Sequence, residues 1–186
     1  MTHKKILLST TLIASMLLCG AVSCKNPTPE MGPVNFQVPS EGFDTTKDIT
    51  IKFYTTMGQE LQNVFNAYLE DFNAIYPNIH VDAQFIGGYD DVRDQLKTEL
   101  GTGQGPNLAY CYPDHVALYN KARAVQTLDK FIYNTQADAD GKLLYGMTEA
   151  QRNDFIEGYW NEGKTYGDGL MYTLPFSKST EVLYYN

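Results

Sequence analysis

"GQELQNVFNAYLEDFNAIYPNIHVDAQFIGGYDDVRDQLKTEL", residues 58–100, changes its hydrophobic period twice. In the first part, apolar side chains fall at Leu61, Val64, Phe65, Tyr68, Leu69, Phe72 and Ile75, steps of three and four that put them on one face of a helix. Pro77 ends that helix, because it has no N–H to donate and restricts Tyr76 before it. "IHVDAQF" (79–85) then predicts a strand and "IGGY" (86–89) a turn. Tyr89, Val92, Leu96 and Leu100 define the face of a second helix.

The alternation extends on both sides. "ITIKFY" (49–54) is β-rich and predicts the first strand. "GTGQGP" (101–106) breaks the second helix, and "NLAYCY" (107–112) predicts a third strand. Pro113 suits the first turn of a short helix through "DHVALYNKA". Strand, helix, strand, helix, strand, helix means an α/β fold: a mainly parallel sheet with flanking helices and right-handed crossovers. Ligands of such open sheets bind beyond the carboxyl ends of the strands. Here those ends offer Thr55, Thr56, Gly58, Gln59, Tyr89, Asp90, Asp91, Tyr112 and Asp114. Hydroxyls, amides and carboxylates bond to sugar hydroxyls, and aromatic faces cover sugar rings. The same residues also suit an ordinary polar rim. Beyond Ala124, "TLDKFI" (127–132) predicts a short helix and "TEAQRNDFIEGYW" (148–160) a longer one capped by Thr148. "KTYGDGLMYTLPF" (164–176) predicts two short strands around a Gly-Asp-Gly turn, and "EVLYYN" (181–186) a further β-type run.

The chain start has a different character. Lys4 and Lys5 precede an apolar run from Ile6 to about Leu18, the pattern of a secretory signal peptide. "AVSC" (21–24) resembles the bacterial lipoprotein cleavage box, with Ala21 where Leu is commoner; the resemblance implies that Cys24 carries lipid and anchors the protein to the membrane. Residues 1–23 are then the signal peptide. Residues 24–48 follow as a flexible tether, with four prolines and two glycines between Lys25 and Asp48. Residues 49–186 form the folded part. Cys19 leaves with the signal and Cys24 is acylated, so Cys111 has no disulfide partner and reads as a small buried hydrophobe. The formal charge of −8 argues against nucleic acid and anionic membrane surfaces as partners.

Some motifs fail on context. "GYWNEGKT" (158–165) fits G-x-x-x-x-G-K-[ST], yet a phosphate loop follows a strand and opens a helix. Here a helical pattern precedes it, and Lys164 and Thr165 are expected to begin an edge strand. "QADADGKLLYGM" (136–147) places Gln136 and Met147 where a calcium loop needs carboxylates. His80 and His115 are not in metal-ligand spacing, and no G-x-S-x-G occurs. No cofactor is expected.

"NAYLEDFNAIYPNIHVDAQFIGGYDDVRDQLKTELGTGQGPNLAYCYPD" (66–114) is similar to the N-terminal lobe of extracellular solute-binding proteins of ABC transporters, in the sugar and glycerol-3-phosphate class. "LPFSKSTEVLYYN" (174–186) resembles that class where it leads from the cleft toward the second lobe. The resemblance implies a periplasmic-binding-protein-like (type II) fold, capture of a carbohydrate and delivery to an ABC permease. It places ligand contacts at Gly58, Gln59, Tyr89, Asp90, Ser179 and Thr180; Tyr112 and Asp114 join them from the strand-end reading. Tyr54-Thr55 stands where relatives often carry Trp-His, and Lys178 is the one cation near the last motif, so a neutral mono- or oligosaccharide is favoured over glycerol phosphate. Family members run to about twice this domain-scale length, so the chain is expected to be a fragment with an incomplete N-terminal lobe. Two other readings stay open. One is an exported glycoside hydrolase using Asp90 and Asp114 as its carboxylate pair. The other is a surface adhesin.

Overall fold

The computed structural model describes residues 39–40, 42, 44–179, 182–183 and 185. The signal segment, Cys24, most of the 24–48 tether and Thr180 lie outside the described residues. The first six elements are β1 (Ile49–Thr55), α1 (Gln59–Ile75), β2 (Ile79–Phe85), α2 (Tyr89–Glu99), β3 (Leu108–Ala109) and α3 (Pro113–Lys121). They follow the predicted alternation and form one parallel sheet in the order β2-β1-β3. β1 and β2 pair along their whole length, from Ile49 opposite Ile79 to Thr55 opposite Phe85. No described helix is long and apolar enough to cross a membrane.

The period of two along β1 sends neighbouring side chains to opposite faces. On one face Phe53 meets Phe65 of α1 edge-on, with ring centres 5.7 Å apart. On the other, Tyr54 packs with Val92 and Leu96 of α2 and Tyr119 of α3. Each such buried side chain contributes roughly 1.5–3 kcal/mol. Tyr54 also donates its hydroxyl to the Glu99 carboxylate at 2.8 Å, so its polar tip is satisfied where its ring is buried. α1 and α2 thus cover opposite faces of the sheet.

β3 is shorter than "NLAYCY" suggests. Its neighbours still bond to β1: Asn107 and Tyr110 donate backbone N–H to the Lys52 and Tyr54 carbonyls at 2.9 and 3.0 Å. The Asn107 side chain replaces one ladder carbonyl, accepting the Lys52 N–H at 2.9 Å. Tyr112 already caps α3, which leaves the strand no room to continue.

The remaining helices are α4 (Asp129–Ile132), α5 (Glu149–Asn153) and α6 (Glu157–Glu162). The single helix expected over 148–160 is therefore two. Ile156 is extended at ψ 119°, while Phe155 turns onto Trp160 with ring centres 5.1 Å apart. Thr148 caps α5 as expected, accepting the Gln151 N–H while Gln151 accepts the Thr148 N–H. A second cluster of Ile132, Trp160 and Met171 is joined by Leu128, Met147 and Phe155.

The two strands expected over 164–176 do not form. Lys164 and Thr165 continue the turn off α6, donating to the Asn161 and Glu162 carbonyls, and so begin no edge strand. Met171 bonds instead to helix ends: its N–H donates to Asp129 Oδ2 and its carbonyl accepts from Leu128, both at 2.8 Å. Tyr172 donates to the Gly163 carbonyl at 2.9 Å. Val182, Leu183 and Tyr185, the described part of the last β-type run, are exposed and in no strand.

Candidate functional site

With β1 in the middle of the sheet, the links leaving β2 and β3 flank its carboxyl end. Local chemistry fixes the first of these links. Gly87 has φ +137°, and a Cβ there would stand 2.4 Å from Asp91 Oδ2. That same oxygen accepts the Gly88 N–H at 2.7 Å, so Asp91 caps the start of α2 and is not a free rim carboxylate. Tyr89 follows directly. The second link ends at Tyr112, and Pro113 opens α3.

Tyr89 and Tyr112 meet. Their rings stack with centres 4.1 Å apart and planes 27° from parallel. Tyr112 remains 50% exposed, so the pair forms a platform with an outward aromatic surface. Asp90 and Asp114 gather beside it, 3.7 and 4.0 Å from Nε2 of the buried His115. The His115 ring lies 5.6 Å from that of Tyr112, and its Nδ1 has no hydrogen-bond partner among the described residues. Arg93 Nη1 pairs with Asp90 at 2.7 Å while its Nε bonds Asp94 at 3.0 Å, so the nearby cation is already engaged.

The other predicted residues are dispersed. Thr55 is fully buried and offers nothing to a ligand; its hydroxyl faces the Gln84 carbonyl at 3.5 Å. Gly58 caps α1 in the open, and Gln59 lines a cleft of about 310 Å³ with Met57, Gln62, Asn63 and Phe85. Ser179 is exposed and in no helix or strand. Its segment is held near the same edge by Phe176, whose ring lies 5.3 Å from that of Tyr110, and by the ion pair of Lys178 with Glu162. Cys111 sits against the Tyr54 cluster, where burial and the Asp114 charge push its thiol up to about 11. It is therefore a packing residue, inert as a nucleophile near neutrality.

His115 and Arg93 are the site residues that sequence reasoning missed. His115 failed on metal spacing alone. Its signal is positional: it lies three residues after Tyr112, which the first turn of α3 returns to the same side. Among the described residues, no three His, Cys, Asp or Glu side chains are placed to hold a metal ion.

A partial parallel sheet with helices on both faces, its polar links gathered at one edge around an aromatic platform, defines an open α/β lobe. The family model for bacterial extracellular solute-binding proteins matches residues 58–186, more than half of the chain, and the chain belongs to that family. It is 27% identical over 137 residues to the sn-glycerol-3-phosphate-binding periplasmic proteins of Shigella dysenteriae and Escherichia coli. Each match covers 74% of this chain and 29% of the relative, so the chain spans under a third of the length of these curated relatives. A family 1 extracellular solute-binding protein from Alicyclobacillus acidocaldarius superposes with a TM-score of 0.52 at 22% identity, covering 71% of this chain and 29% of that one. The fold is accordingly periplasmic-binding-protein-like and partial.

Proposed function

We propose that the chain supplies one wall of the solute site of an ABC importer's binding component, and that the solute is a neutral mono- or oligosaccharide. The stacked Tyr89–Tyr112 pair carries this reading, because a sugar ring needs a flat apolar surface beside hydrogen-bonding groups. Asp90 and Asp114 accept from sugar hydroxyls, while Gly58, Gln59, Ser179 and Thr180 stay as further candidate contacts on the strength of the family resemblance alone. Glycerol phosphate fits poorly despite the names of the relatives. Arg93 is engaged by Asp90 and Asp94, and Lys178 by Glu162, which leaves the platform flanked by carboxylates.

In the same reading, residues 1–23 direct export, Cys24 carries the lipid, 24–48 are the tether, and 49–186 are part of an N-terminal lobe. The loaded protein delivers its solute to a membrane permease. Further polypeptide closes the site from the opposite side, since such proteins hold solute between two lobes. That agrees with the small share of the relatives' length that the chain spans. The hydrolase reading has less support, because the family that the chain matches is one of solute-binding proteins.

Calorimetry with glucose, maltose, maltotriose and glycerol 3-phosphate tests the proposal. It is run on this chain and on a fusion to the second lobe of a full-length relative. A neutral sugar is expected to bind the fusion, and Tyr112→Ala to weaken it by roughly 2–10-fold, as the loss of one aromatic contact implies. Tighter binding of glycerol 3-phosphate, or an unaffected Tyr112→Ala variant, would refute it. Micromolar affinity in the chain alone would overturn the need for a second wall.

A further inference from the structure

The cluster around Trp160 opens outward into a cleft of about 450 Å³, lined by Tyr133, Arg152, Asn153, Glu157, Trp160 and Asn161 among others. None of these residues belongs to the strand-end rim. Two cations converge on the aromatic wall. The Arg152 guanidinium carbon lies 5.2 Å from the centre of the Tyr133 ring. Lys164 Nζ lies 5.6 Å from the same ring and 6.0 Å from the Trp160 ring. Neither cation forms an ion pair among the described residues.

Arg152 is also fixed in place. Its Nη1 donates to the carbonyls of Ile132 and Met147, which orients the guanidinium plane. A guanidinium has five N–H donors. Those on Nε and Nη2 have no protein acceptor among the described residues. A held fork near an ammonium is the chemistry that recognises an oxyanion. In a chain of formal charge −8, Arg152 lines the cleft with the single carboxylate of Glu157, and Lys164 stands against two of its lining rings, Tyr133 and Trp160. The Asn153 and Asn161 amides add donors and acceptors of the kind that meet hydroxyls. The volume is enough for a molecule of monosaccharide size.

We propose that this cleft is a second binding site, for a small carbohydrate that carries a phosphate or carboxylate. Arg152 and Lys164 take the oxyanion. The amides and Glu157 take hydroxyls, which favours a hydroxylated anion over inorganic phosphate. The proposal stands independently of the strand-end platform.

Trp160 is the chain's one tryptophan, so intrinsic fluorescence reports directly on the cleft. The full chain is titrated with glucose 6-phosphate, glucuronate, glucose and inorganic phosphate. Saturable changes are expected with at least one of the first two, and weaker or no response with the others. Lys164→Gln should weaken binding about tenfold, the loss of one charge-assisted contact. Lys142→Gln removes the same charge from an exposed loop and should leave affinity unchanged. Arg152→Lys keeps the charge but loses the fork; if it fails to fold, the Lys164 variant still decides. Glucose binding as tightly as the anions, no saturation by either anion at millimolar concentration, or equal effects of Lys164→Gln and Lys142→Gln would overturn the proposal.

Discussion

Residues 49–121 and residues 129–179 are held together by different physics. In the first region, strands and helices of ordinary length stack on a sheet, and the buried side chains come from periodic positions: Tyr54, Val92, Leu96, Tyr119. In the second, three short helices and a stretch without ladder bonds close around Ile132, Trp160 and Met171, supported by individual side-chain bonds such as Met171 N–H to Asp129. Periodic burial makes a region legible and cooperative. A core assembled from single contacts depends on each of them, and it leaves concave spaces between elements that do not stack.

The largest test of this contrast removes one anchor from each region. Tyr54→Ala should cost about 3–5 kcal/mol and Met171→Ala about 2–5 kcal/mol, read from urea denaturation. The sharper readout is amide hydrogen exchange. Tyr54→Ala should lower protection throughout β1, β2 and α2, whereas Met171→Ala should expose Asp129–Ile132 and leave β1 protected. Loss of protection in both regions from either variant would merge them into one cooperative unit.

A smaller test uses two glycines of the false phosphate-loop motif. A Cβ on Gly163 would stand 2.4 Å from Met171 Sδ and 2.5 Å from the Thr173 carbonyl oxygen, so Gly163→Ala should destabilise by about 1–3 kcal/mol. Gly158 lies in α6 with open space around it, so Gly158→Ala should stabilise by up to about 1 kcal/mol. The same substitution five residues apart then changes sign, which thermal melts of the two variants would show. Smaller still, Thr148→Ala should cost about 1 kcal/mol through the lost cap of α5. A neutral result would mean that α5 is held by its neighbours alone.

These glycines also show how the motif's spelling arises without a phosphate loop. Gly163 is required by the close passage of residues 171–173, and Gly158 by nothing in its surroundings. Their spacing is a by-product of packing. Helix and strand identity in residues 49–121 was readable because the apolar spacing of "LQNVFNAYLEDFNAI" and the alternation in β1 are local patterns. The helix break at Phe155 and the absence of strands over 164–176 were not readable. Both depend on Trp160 and Asp129, partners whose proximity no local pattern records. At the site, Tyr89, Asp90, Tyr112 and Asp114 could be placed at strand ends from sequence. Thr55 was misplaced because its burial depends on what packs over the end of β1.

By itself, the sequence determined the order of elements, the parallel α/β architecture and the edge at which polar residues collect, since each follows from side-chain period and turn chemistry within a few residues. Tertiary structure decided that Tyr89 and Tyr112 stack, that Asp91 caps a helix, that His115 is enclosed beside two carboxylates, and that Arg152 and Lys164 approach the same Tyr133 ring. Those outcomes join residues far apart in the chain, and only the packed fold sets the distances between them.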